Sequence, residues 1–162
     1  MSNMQFVTWL LVLGSAPLAI TGCATNRTSV ATAGSDLSVK VALESHLRLA
    51  VEIQNKSGVE IVASKDSLPW EWRYSFWVKA FVVDAGGSPV DERLPISDPS
   101  RTESVRIAPG ARMEGHIDLE SRFPDLRAAL EKHDVVIFWS YQPEFEPIRA
   151  PRVAGWLTIP KA

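Results

Sequence analysis

From residue 37 onward, apolar side chains recur at every second position, and this period of two limits what the chain can fold into. Leu37, Val39, Val41 and Leu43 alternate with Ser38, Lys40 and Ala42; Leu47, Leu49, Val51 and Ile53 alternate with His46, Arg48, Ala50 and Glu52. An extended chain turns alternate side chains to opposite faces, so each stretch predicts a strand with one face in a core and the other in water. Asn55-Lys56-Ser57-Gly58 carries turn chemistry, and Val59, Ile61 and Ala63 begin a third strand that breaks between Ser64 and Pro69. Tyr74 to Val83 has large residues at both parities, which predicts a strand covered on both faces. Asp84-Ala85-Gly86-Gly87 ends it. Val105 to Ile107, the alternating Met113, Gly115, Ile117 and Leu119, then Val135 to Tyr141 and Val153 to Ile159 supply the remaining strands. One helix of about nine residues is expected between them, with Pro124 in its first turn and Phe123, Leu126 and Leu130 on one face.

Short strands separated by turn signals, without alternating helices, predict an all-β, antiparallel β-sandwich of about seven or eight strands over residues 37–162, with one short helix in a late connection. The single cysteine excludes an internal disulfide, and a domain of this length buries enough apolar surface without one. The run from Leu47 through the Asn55 turn, Ile107-Ala108-Pro109-Gly110 and the strand Val135 to Tyr141 resembles the immunoglobulin-like accessory domains of secreted bacterial proteins. That resemblance implies a fold and no site. The strand-Asn-turn-strand and Pro-Gly stretches bear a fainter likeness to small immunoglobulin-like bacterial proteinase inhibitors, without an inhibitory loop motif.

No Lys, Arg, Asp or Glu occurs before Arg27, and Phe6 to Ile20 is an apolar run interrupted by Gly14 and Pro17. A run of about fifteen residues is shorter than the roughly 20 a transmembrane helix needs, and it fits the apolar region of an export signal. Ile20-Thr21-Gly22-Cys23 follows directly. This segment resembles the lipobox of bacterial lipoproteins, although the preceding MSNMQ carries no Lys or Arg. The resemblance implies cleavage after Gly22, removal of residues 1–22 and acylation of Cys23, which becomes the first residue of the mature chain. Ala24 in place of Asp implies delivery to the outer membrane, facing the periplasm. Residues 23–36 are small, polar and aperiodic, and read as a lipidated flexible tether spanning roughly 20 Å.

Composition narrows function mainly by exclusion. The 17 Lys+Arg against 19 Asp+Glu give a net charge of -2, so no basic field is available for nucleic acid. His46, His116 and His133 form no metal-ligand spacing, and no P-loop, dinucleotide fingerprint or nucleophile elbow occurs; no metal, cofactor or catalytic residue is expected. Asp91-Glu92 and Glu144-Phe145-Glu146 pair carboxylates but read as solvated loops. The densest local feature is Pro69 to Trp77, PWEWRYSFW, in which an extended chain would align Trp70, Trp72, Tyr74 and Phe76. Trp70, Trp72 and Tyr74 are the candidate ligand-binding residues; the favoured alternative packs the row into a core together with Trp139 and Trp156. The chain is thus expected to be a non-enzymatic binding or structural module held to the membrane through its N-terminal lipid, contacting an envelope protein or cell-wall glycan. The alternative is an inhibitor or chaperone-like subunit that inserts the loop from Gly87 to Ser104 into a secreted enzyme.

Overall fold

Alternation is carried through to the finished core. A computed structural model describes residues 27–71, 76–84, 86–93 and 103–162. Among these residues nine strands form: β1 (Thr28–Ala33), β2 (Leu37–Leu43), β3 (Arg48–Asn55), β4 (Ile61–Ser64), β5 (Phe76–Val82), β6 (Ser104–Ile107), β7 (Arg112–Asp118), β8 (Val135–Tyr141) and β9 (Val153–Ile159). They pair antiparallel throughout, in sheets ordered β1-β2-β3-β7, β4-β6 and β5-β8-β9. The fold is an all-β sandwich. The order β5-β8-β9 matches the C-F-G sheet of an immunoglobulin-type sandwich, and β2-β3-β7 matches its A-B-E strands. β1 is added outside this set, and β4-β6 forms a ladder of its own.

Leu37, Val39 and Val41 of β2 and Leu49, Val51 and Ile53 of β3 turn inward from the four-stranded sheet. They share one apolar core with Phe76, Val78 and Ala80 of β5, with Val135, Ile137, Trp139 and Tyr141 of β8, and with Leu157 of β9. Phe76 stacks on Trp139 with ring centroids 6.0 Å apart, and the Tyr141 hydroxyl donates to the Ser67 carbonyl at 3.1 Å. Burial and the nearby Glu144 charge push the Tyr141 hydroxyl well above its ordinary pKa, so it stays protonated as a donor.

The segment expected to be a free tether is largely folded. Thr28 to Ala33 pairs residue for residue with Ala42 to Leu37, and Gly34, at φ 70°, turns the chain into β2. Gly155 of β9 lets β1 come close: a Cβ there would overlap the Ser29 Oγ and the Trp139 indole. One edge of the sandwich is thereby closed by β1 lying against β9.

Asn55 ends β3 fully buried. Its side-chain amide donates to the carbonyls of Val59 at 2.8 Å and Ile107 at 2.9 Å, while its Oδ1 accepts from the Ser57 N–H at 2.9 Å and the Ser57 hydroxyl at 2.6 Å. The turn after β3 is thus held by a side-chain brace. No backbone in the left-handed region is involved, since Gly58 is not among the positive-φ residues. The expected single helix is two: α1 (Leu119–Arg122) and α2 (Leu126–Leu130). Pro124 lacks an N–H, and it disfavours helical backbone at Phe123, so the helix stops before this pair and restarts after it. Leu119, read as the end of the alternating strand, opens α1, because the Asp118 carboxylate accepts from the N–H groups of Glu120 at 2.9 Å and Ser121 at 3.1 Å. Those backbone donors hold the Asp118 carboxyl below its ordinary value against a smaller opposing effect of burial.

Candidate functional site

Trp70, read from sequence as part of an extended row, lies in a helical turn. Pro69–Glu71 is a turn of 3-10 helix, and Phe76 is a core residue. Trp70 lies against the inner side of β7 at Gly115, where any Cβ would overlap the indole. Trp72 and Tyr74 lie outside the described residues, as does Cys23.

A different aromatic cluster is exposed. The strand β5 is not covered on both faces: Trp77 is 51% exposed, and on the same outer side of the sheet Phe138 is 48% and Trp156 47% exposed. Register brings them together. Phe138 of β8 stands opposite Lys79 of β5 on one side and Trp156 of β9 on the other. Trp77 lies diagonally from Phe138, opposite Ser140. Phe81 meets Phe138 edge to face, with centroids 5.8 Å apart. Trp156, assigned to the core from sequence, therefore faces outward, because it shares parity with Ala154 and Thr158 and opposes Leu157. Trp139, its expected companion, is buried.

Cations border this face. Arg152 donates to the Ser140 hydroxyl at 3.1 Å, and Lys79 bridges to Glu92 at 2.6 Å. Glu92 also accepts from Arg122 at 2.8 Å, with both side chains about 10% exposed. Burial opposes the charge on Glu92, but donation from Lys79 and Arg122, with their charges, outweighs it and holds the carboxyl below its ordinary value. Asp91-Glu92 is thus no free carboxylate pair: Glu92 is the hinge of an ion network supporting the sheet's outer face.

Two other places bring functional groups together. Glu44, Glu114 and His116 converge within 4.8 Å of one another on the outer side of the four-stranded sheet. The Arg48 guanidinium donates to Glu44 at 2.9 Å, so a side chain already supplies the counter-charge there. A groove of about 630 Å³ runs between β4 and residues 142–150. Its wall is tied by reciprocal backbone hydrogen bonds of 2.8 Å between Val62 and Glu146. Glu144 and Glu146 stand exposed at this wall on either side of buried Phe145, which anchors the segment.

No family model matches the chain, and no curated protein matches it in sequence. What fold and geometry define is an antiparallel β-sandwich that leaves an aromatic face open on its three-stranded sheet. Among the described residues, no helix is long and apolar enough to cross a membrane.

Proposed function

We propose that this chain is a lipid-anchored protein of the bacterial cell envelope whose sandwich works by binding and not by catalysis. The anchor reading is supported by Ile20-Thr21-Gly22-Cys23, placed directly behind an uncharged apolar run. The observation that carries the binding reading is the open face of Trp77, Phe138 and Trp156 on a rigid sheet. Large aromatics about half exposed and clustered by strand register mark a surface that meets something else. Trp and Phe combine broad apolar contact with low entropic cost of ordering, which suits a partner protein, a sugar ring or a lipid interface. Acylation of Cys23 with two or three chains, at about 0.8 kcal/mol per buried methylene, would keep that face permanently near a bilayer.

Metabolic labelling with radioactive palmitate tests the anchor: label is expected in the wild-type chain and not in Cys23→Ser. Equal labelling of the two would remove the lipoprotein reading.

A further inference from the structure

The β9 edge of the β5-β8-β9 sheet lies close to the point where the fold takes up the chain from the proposed anchor. Arg27 is already held by the fold, because its carbonyl accepts from the Leu43 N–H at 2.8 Å. Only four residue steps separate it from Cys23, so the fold can stand no more than about 14 Å from the lipidated sulfur's backbone. Two residues beyond Arg27, Ser29 lies against Gly155 of β9. Gly155 turns inward and the next residue, Trp156, outward, so β1 reaches from the inner side the same edge strand whose outer side carries that ring. The chain therefore enters the sandwich at its β1-β9 edge, against the strand that carries Trp156, and the leash keeps that edge close to the membrane.

The chemistry of the face suits the same place. Aromatic side chains concentrate at the level of lipid headgroups, where an apolar ring and a polar tip are both satisfied. Lys79 and Arg152 border the rings with their stems along apolar surface, their charged ends already held by Glu92 and the Ser140 hydroxyl, so the rings carry the contact. We infer that the outer face of the β5-β8-β9 sheet, through Trp77, Phe81, Phe138 and Trp156, docks on the phospholipid surface to which Cys23 ties the chain, an inference that rests on the lipid-anchor reading. The acyl chains retain the protein at the membrane. The face fixes its orientation, laying the three-stranded sheet on the lipid and leaving the outer side of β1-β2-β3-β7 toward the aqueous space.

The full-length chain, expressed in a bacterial host and purified with its anchor, is reconstituted into phosphatidylethanolamine and phosphatidylglycerol vesicles in which part of the lipid carries brominated acyl chains. Bromine is expected to quench tryptophan emission. Replacing both Trp77 and Trp156 by Phe, which keeps an apolar ring at each position, is expected to cut the quenched emission at least in half without moving the melting temperature. Trp70→Phe, at a residue packed against β7, leaves the quenching in place. Quenching that is absent, or unaltered in the double variant, overturns the docking. So does a stable dimer in detergent that shields both tryptophans, which would assign the face to a second copy, and so does protection of these residues by cell-wall glycan without lipid quenching. Palmitate incorporation without quenching overturns the docking and leaves the anchor standing. Absence of incorporation overturns the anchor, and with it the short leash that the docking needs.

Discussion

Glu92 joins the core side of the molecule to its exposed aromatic side. It accepts from Arg122, which extends from α1, and from Lys79, which stands among the outer rings of β5. Its folded carboxyl sits below the ordinary value of 4.5 because those two donors outweigh burial. A carboxyl lowered on folding stabilises the fold fully above its unfolded value, and that contribution is lost as the pH falls through the lowered folded value. Glu92→Gln is therefore expected to cost about 2 kcal/mol at neutral pH, where it removes the carboxylate that both Arg122 and Lys79 donate to. The cost should shrink as the pH falls through that lowered value and the wild-type carboxyl takes up its proton. Urea denaturation of both proteins at about pH 7 and about pH 3 reads the difference; an equal cost at both would reduce Glu92 to a packing role. No sequence pattern announced this network, because Lys79, Glu92 and Arg122 are joined only by the fold. Asp91-Glu92 reads as a solvated pair for the same reason: adjacency in sequence carries no information about which neighbour is turned inward.

At the scale of elements, legibility follows the size of the side chains. β8 and β9 run from Val135 to Tyr141 and from Val153 to Ile159, the limits expected from their β-branched and aromatic residues. β1 escaped notice because Thr28-Ser29-Val30-Ala31-Thr32-Ala33 has the small polar composition of a linker. It is a strand because it completes a ladder along the whole of β2 and because its small side chains fit against Gly155. Tertiary pairing, and not intrinsic preference, decides such a segment. The turn bearing Trp70 follows a similar rule, since the missing side chain at Gly115 makes room for the indole. Gly115→Ala is expected to cost about 2 kcal/mol by overpacking. Trp70→Ala should also lower the melting temperature, having removed a ring packed against the core. In the double variant the new methyl occupies space the ring has left, so the combined loss should fall short of the sum of the single losses. Strict additivity in thermal melts would show that Trp70 does not rest on Gly115, and would return it to the candidates for binding.

For the whole molecule, the open aromatic face was the least legible feature and bears most on function. Large residues at both parities in β5 fit two arrangements equally, a strand buried on both sides and a strand with one aromatic face in water. Only the register β5-β8-β9, which sets Phe138 between Lys79 and Trp156, distinguishes them. Charge then decides what kind of force would hold this face to a bilayer. The chain carries a net charge of -2, and Lys79 is already paired with Glu92. Attraction to anionic lipid is worth about 1 kcal/mol per basic residue near the surface and requires an unbalanced cluster, which is not found at this face among the described residues. Ring burial, by contrast, scales with apolar area and is not screened by salt. The tryptophan quenching expected in brominated vesicles should therefore change little when salt is raised from about 0.1 M to about 1 M, although the Debye length falls from about 10 to about 3 Å. It should likewise survive replacement of phosphatidylglycerol by a zwitterionic lipid. A steep loss with salt would transfer the interaction from the rings to Arg152, Lys79 and the other cations, and would mean that the aromatic face is not what orients the domain.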